Sequence, residues 1–374
     1  MFAGKKLAVV GASYLQLPLV RKAKELGLEV HCFAWEDGAV CREEAQRFYP
    51  VSIVEKEQIL AICREQGVDG VCTIASDVAA PTVAYVAEAL GLPGNSYACA
   101  LMANNKFLMR NAFREAGIPC PQYRMVHDAR EAEGAWRYPL IVKPSDRSGS
   151  MAVSLVYDAE ALKTAVDEAV KASFRGEAMV EQYVEGREIS VEFISCGGKH
   201  YPLQITDKVT TGAPHFVELE HHQPADLPDA MYKQVYALTR RALDALGVTD
   251  GASHTEFKIS ADGKPCIIET GARMGGDFIG SDLVYLSTGY DYVKAVIEVA
   301  LGGFTAPGTL TKKACSGVYF LCRESSRLLP VFGQAASCPG VVRMERTPGP
   351  LQSVTRSADR SGYLIYCSQA KLVL

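Results

Sequence analysis

The sequence predicts an α/β protein: an N-terminal parallel α/β domain, a second mixed unit, and a small β-rich C-terminal region. Three observations carry this. From Lys5 to about Gly94, short apolar runs alternate with amphipathic runs of helical length, a pattern that implies right-handed crossovers and a parallel sheet. The stretch His254–Gly276, HTEFKISADGKPCIIETGARMGG, reads as two strands joined by the turn Ala261-Asp262-Gly263. From about Thr305, short strand-like runs (CSGVYFLC, GVVRME, GYLIYC) follow one another as a β-rich cap. With 374 residues and 48% hydrophobic content, the chain has the means to bury two or three cores.

Composition excludes several classes. Net charge is −4 with both signs scattered, which argues against a nucleic-acid partner. The start MFAGKKLAVVGA is not a signal peptide, and no apolar run approaches the ~20 residues of a membrane span. A cytoplasmic protein without membrane contact is therefore expected. The cysteines form no CxxC pair and sit in apolar runs, as Cys72 does in GVCTI, so reduced, buried thiols are expected. No Cys/His cluster has zinc-ligand spacing.

Taken in order, KLAVVGA, LEVHCFAW and VDGVCTIAS are strands. LPLVRKAKELG, EKEQILAICREQG and APTVAYVAEALG are helices. Gly11 and Ser76-Asp77 fall at carboxyl ends of strands, where ligands gather. GASYLQ lacks the further glycines of a dinucleotide fingerprint, which excludes NAD there. Asp77 has two readings, a substrate-facing carboxylate or a helix cap. NNKFLMRNAFREAGIPCP, from Asn104, reads as one helix stopped at Gly117, with Lys106 set against the helix dipole in its first turn.

In YPLIVKPSDRSGSMAV, Lys143 lies on an apolar strand, where a charge is costly unless paired. Gly149 with Ser148 and Ser150 makes a small loop whose backbone N–H groups suit phosphate oxygens, although the GK[ST] ending of a P-loop is absent. In EQYVEGRE, Glu181 and Glu188 flank the turn at Glu185-Gly186; the segment suits a purine edge and a ribose, or is a plain hairpin with acidic flanks. The next segment carries Lys208 and the pair His221-His222, read as solvated and loop-facing. In the hairpin, Glu256 and Glu269 can lie side by side, which suits a hard cation such as Mg²⁺, or else face water on an edge. Arg273 supplies a fixed positive fork for phosphate or carboxylate.

In this order the pieces resemble the ATP-grasp superfamily of ADP-forming carboxylate–amine ligases, over nearly the whole chain. The lysine of NNKFLMR, the strand lysine of LIVKP with its Ser/Gly loop, EQYVEGRE, and HTEF…IIETGAR carry the likeness. Within the superfamily the chain looks most like the L-amino-acid ligase and carbamoyl-phosphate-synthase-like single-chain members, from DKVTTGAPHFVE, HHQPA and the β-rich tail. The resemblance implies an N-terminal domain over 1–103, an ATP-grasp domain over 104–304 with a mobile lid at about 119–184, and a C-terminal domain over 305–374. It implies ATP with Mg²⁺, or Mn²⁺ in its place, and small-molecule carboxylate and amine substrates; a homodimer is compatible with it. Lys106 and Lys143 would contact phosphates, and Ser148, Gly149 and Ser150 would close over them. Glu181 and Val184 would meet adenine through their backbones, and Glu188 would hold the ribose. Glu256 and Glu269 would hold Mg²⁺, and Arg273 the acyl-phosphate or substrate carboxylate, with Arg273 and Lys143 as catalytic residues. The implied reaction activates a carboxylate as an acyl-phosphate for attack by an amine. Bicarbonate or carbamoyl chemistry and an inactive nucleotide binder are the alternatives. One departure stands out: the family reads Glu-x-Asn-x-Arg where this chain has Gly271.

Overall fold

A computed structural model of the chain describes residues 2–147, 149, 151–333 and 338–374. The N-terminal runs form a parallel sheet of β1 (Lys6–Val10), β2 (Glu29–Phe33), β3 (Arg47–Tyr49) and β4 (Gly70–Cys72), in the order β3-β2-β1-β4. Leu7 and Val9 of β1 pack with α1 (Leu17–Glu25) and with the distant α9 (Tyr292–Ala300). Ala8 and Val10 pack with α2 (Lys56–Gln66) and α3 (Ala80–Leu90). Both faces are covered, which is why KLAVV is continuously apolar rather than alternating. The short β3 went unread in the sequence because RFY shows no such run.

The helix expected from Asn104 is present, and a second helix that the sequence reading missed ends just before it. Helix α4 (Tyr97–Asn104) ends, and α5 (Lys106–Glu115) begins, around Asn105, which is extended and accepts from the N–H groups of Phe107 and Leu108. That cap fixes Lys106 as the first helical residue. A second sheet, in the order β5-β8-β6-β7, contains β5 (Tyr123–Val126), β6 (Leu140–Pro144), β7 (Ser154–Val156) and β8 (Ala178–Gln182). Leu162, Ala165, Val166 and Ala169 of α6 (Ala159–Ala172) cover it. These elements occupy the stretch expected as the lid.

The third sheet has eight strands, ordered β13-β12-β9-β10-β11-β14-β16-β15. They are β9 (Arg187–Cys196), β10 (Lys199–Thr210), β11 (Glu218–Gln223), β12 (Gly251–Ile259), β13 (Pro265–Gly271), β14 (Cys315–Leu321), β15 (Val341–Arg346) and β16 (Gly362–Ser368). Helix α7 (Asp229–Leu246) and α5 pack against it through Phe113, Val235 and Leu243. The tail strands are therefore no separate cap; they extend the large sheet through β11. The same pairing overturns the reading of His221 and His222 as solvated. β11 lies between β10 and β14, and the two rings are 1% and 2% exposed. His222 is satisfied by the Tyr366 hydroxyl at 2.9 Å and by Glu220 at 2.9 Å.

Burial pushes the thiols of Cys41, Cys63, Cys72 and Cys99 up to about 12, which keeps them protonated and unreactive at neutral pH. Among the described residues no helix is long and apolar enough to cross a membrane.

Gly186, in the turn from β8 to β9, gives a direct test of how the second sheet meets the third. A Cβ there would lie 2.2 Å from the carbonyl oxygen of Ile259, a backbone atom at the end of β12 that has no rotamer to yield. Gly186 also sits at φ +153°, which L residues rarely adopt, so Gly186→Ala adds backbone strain to the overpacking and should cost roughly 3 kcal/mol or more. Gly263→Ala meets nothing within 4 Å at φ +77°, and should cost only the left-handed penalty of roughly 1–2 kcal/mol. Thermal melts should show the larger drop for Gly186→Ala; equal drops would contradict the contact.

Candidate active site

The three sheets border one cavity of about 360 Å³, a size that suits a small-molecule site. Ala75 and Asp77 reach it from the carboxyl end of β4. The Ala75 N–H donates to the Met274 carbonyl at 3.2 Å, joining the parallel sheet to the loop after β13. Of the two sequence readings of Asp77, the helix cap does not hold, and the residue lines the cavity. The start of α3 is served by Ser76, whose Oγ accepts from the Ala79 N–H at 3.2 Å. The Asp77 carboxylate instead receives both prongs of Arg273, at 2.7 and 2.8 Å. Burial opposes charge on both groups, but each holds the other ionised: Asp77 is lowered and Arg273 raised. Gly271 lies against this pair. A Cβ at that position would come 3.1 Å from Asp77 Oδ1 and 3.2 Å from Arg273 Cζ, so a larger residue would press on the ion pair.

The hairpin folds in the expected register. Glu256 on β12 sits opposite Glu269 on β13, with a bulge just after Glu256. Paired residues point to the same face, so two carboxylates enter the cavity together. Each is matched by a lysine: Lys106 Nζ lies 2.8 Å from Glu269 Oε1, and Lys208 Nζ contacts Glu256 Oε1. Lys208, which the sequence reading left without a role, also faces Glu188 at 3.3 Å and Glu218 at 3.7 Å. Burial would lower its pKa, but the three carboxylates raise it well above the lysine norm. His254 extends the network between Glu192, on β9, and Glu256, 3.4 Å from its Nε2. Against burial, Glu192 and then Glu256 lift it to about 9, so it is an imidazolium at neutral pH. Glu192 Oε2 also accepts the Gly275 N–H at 3.1 Å, which fixes the loop after Arg273.

On the lid side, the cost of Lys143 on its apolar strand is offset by a carboxylate. Its Nζ lies 2.6 Å from Glu181 Oε2, and Arg110 Nε lies 2.7 Å from Glu181 Oε1. Burial lowers the Lys143 pKa, with Glu181 acting against it. Despite burial, the two cations hold Glu181 down at about 2. Lys106 Nζ also donates to the Arg147 carbonyl at 2.8 Å, beside the Gly149 loop.

Of the sequence-predicted site residues, Lys106, Lys143, Gly149, Glu181, Val184, Glu188, Glu256, Glu269 and Arg273 all line this cavity. Ser148 and Ser150 lie outside the described residues. Sequence reasoning missed Arg110, Glu192, His254 and the pairing role of Lys208; all but Glu192 lay in segments already singled out. Backbone strain gathers in the same place. Ala75, Phe216 and Asp277 line the cavity at φ +56°, +52° and +49°, and such non-glycine outliers cluster at functional sites. Among the described residues no group of three or more His, Cys, Asp or Glu forms a metal cage. Two adjacent carboxylates completed by phosphate oxygens and water do fit Mg²⁺, which is seldom held by protein ligands alone.

The ATP-grasp domain model matches residues 136–282 and the ATP-grasp N-terminal domain model residues 20–94. Alanine–anticapsin ligase of Bacillus subtilis (strain 168) is 29% identical over 245 residues, covering 59% of this chain and 51% of the relative. Human carnosine synthase 1 is 25% identical over 364 residues, 88% of this chain and 43% of that protein. The chain thus spans about half the length of these relatives. Among solved structures, the L-amino acid ligase from Bacillus licheniformis superposes with TM-score 0.82 at 24% identity, covering 98% of this chain and 94% of that one. Phosphoribosylglycinamide synthetase from Anaerococcus prevotii gives 0.77 at 19%, covering 98% and 95%.

Glu181 offers a test of the charge arrangement. Glu181→Gln leaves Lys143 and Arg110 buried without their anion, which should cost roughly 3–5 kcal/mol at pH 7. Because the folded carboxyl is depressed to about 2 from an ordinary 4.5, its stabilisation is complete above pH 4.5 and disappears as pH falls through 2. Melting temperatures of wild type and variant should therefore differ at pH 7 and converge as pH falls through that window. A constant difference down to pH 2 would contradict the pairing.

Proposed function

From the premise that the chain belongs to the ATP-grasp superfamily, we propose that it is an ATP- and Mg²⁺-dependent ligase that activates a carboxylate as an acyl-phosphate and joins it to an amine, with amino acids as the substrate class. The observation that carries this reading is the paired hairpin carboxylates, Glu256 and Glu269, facing a cavity that also holds Lys106, Lys143, Lys208 and Arg273. A carboxylate is a poor electrophile, because its charge repels nucleophiles and oxide is a poor leaving group. Transfer of the γ-phosphoryl group to it makes a mixed anhydride from which phosphate leaves, so ADP and phosphate are the by-products.

The chain's residues act by position and charge. Lys106, Lys143 and Lys208 offset the triphosphate, while Glu256 and Glu269 hold Mg²⁺, which when bound neutralises the charge that develops there. The backbone from Glu181 to Val184 takes the adenine edge, and Glu188 the ribose hydroxyls. Arg273, oriented by Asp77, presents its guanidinium to the acyl-phosphate. The Gly149 loop and the sheet formed by β5 to β8 exclude water, which would otherwise hydrolyse the anhydride. Retention of every cation and of both hairpin carboxylates favours an enzyme over a passive nucleotide binder.

Trapping the intermediate tests the reaction class. With ATP, Mg²⁺, hydroxylamine and each of the twenty L-amino acids in turn, at least one should give a hydroxamate with stoichiometric ADP. Glu269→Gln should remain folded and give none. AMP and pyrophosphate in place of ADP would mean adenylation, and the proposed mechanism would be wrong.

A further inference from the structure

Arg110 is a charged side chain at the site with no place in the chemistry above. It lies one helical turn after Lys106 on α5 and is fully buried. A guanidinium has five N–H donors, and buried donors are rarely left unmade. Arg110 Nη2 donates to the Ile268 carbonyl at 2.5 Å, yet among the described residues Nε and Nη1 have no hydrogen-bond partner. Nε nevertheless lies 2.7 Å from Glu181 Oε1, an oxygen that also lacks an aligned donor. The two charges touch, but the N–H is out of line. The other oxygen of this carboxylate, Oε2, is 2.6 Å from Lys143 Nζ. One anion is thus shared by two cations, and the arginine keeps donors in reserve.

The sharing matters when a nucleotide arrives. If Lys143 turns to the phosphates, Glu181 is left in a site where an unpaired charge is strongly unfavourable. We propose that Arg110 is the positioning residue for Lys143: it takes over Glu181 with both prongs of its fork as Lys143 leaves for the triphosphate, so that the lysine moves without stranding a buried carboxylate. The inference rests on the reading of Lys143 as a phosphate ligand. An arginine suits the task better than a second lysine. Its planar fork can exchange a single misaligned contact for two parallel bonds, and it stays protonated however deeply it is buried. Its bond to the Ile268 carbonyl, next to Glu269, keeps α5 in place against β13 while the exchange occurs.

The test is Mg·ATP affinity, measured by calorimetry on the full chain. Arg110→Met leaves Lys143 as the sole partner of Glu181, which should hold the lysine back and weaken binding about tenfold or more. Arg110→Lys should lose less. The double variant Arg110→Met/Glu181→Gln has no anion to retain Lys143, and it should recover most of the lost affinity. A purely structural role predicts the reverse, because the second substitution would add damage. Unchanged affinity in Arg110→Met, or a double variant no tighter than the single, would overturn the exchange. A wild-type chain that fails to bind Mg·ATP would remove the nucleotide reading itself, and this proposal with it.

Discussion

Buried charge must be matched, and that one constraint organises the centre of this protein. Strands β12 and β13 bring Glu256 and Glu269 side by side inside a cavity, an arrangement that repels itself unless cations lie close. Lys208 and Lys106 supply them. The same rule places Glu181 between Lys143 and Arg110, and Asp77 in the fork of Arg273. Each partner comes from a different element, so the pairs also hold the elements together. Removing one member of such a pair costs far more than the pair adds to stability. In the proposed reaction, ligand binding would be an exchange of partners: Glu256 and Glu269 would turn from their lysines to hold Mg²⁺, and the lysines would turn to phosphate. Little new charge has to be buried.

The departure at Gly271 sits within the same geometry. A Cβ there would press on the Asp77–Arg273 pair, which ties the parallel sheet to the hairpin. No amide oxygen stands at this position, and an arginine held by two bonds reaches the carboxyl end of β4. The Ala75–Met274 backbone bond and the strained residues Ala75 and Asp277 lie along the same seam. Orientation at this point is thus supported by several independent contacts rather than by one side chain.

Much of this was legible in the sequence, for local reasons. Strand–helix alternation, the hairpin turn and the cost of Lys143 on an apolar strand all depend on neighbours in the chain. From them came the parallel sheet and the register of Glu256 with Glu269, and with the resemblance nine residues of the cavity wall. What stayed hidden depends on distant partners. Arg273 and Asp77 are 196 positions apart, and Lys106 and Glu269 are 163 apart; no local pattern announces either. His221 and His222 were misread for the same cause. A histidine pair between a Gly-Ala-Pro turn and a proline looks like loop, until β14, some ninety-five positions later, lies against it. The tail strands were seen, but their edge-on attachment to β11 was not, because period-2 alternation names a strand and not its neighbour.

In the proposed reaction the carboxylate is activated by phosphoryl transfer, and isotope transfer reads that step directly. An amino acid that supports ADP release would be supplied with both carboxyl oxygens labelled with ¹⁸O, together with ATP, Mg²⁺ and an amine acceptor. Passage through an acyl-phosphate leaves one carboxyl oxygen on the departing phosphate, so the account predicts one labelled oxygen in phosphate for each ADP formed. Unlabelled phosphate, or label recovered in AMP, would contradict it.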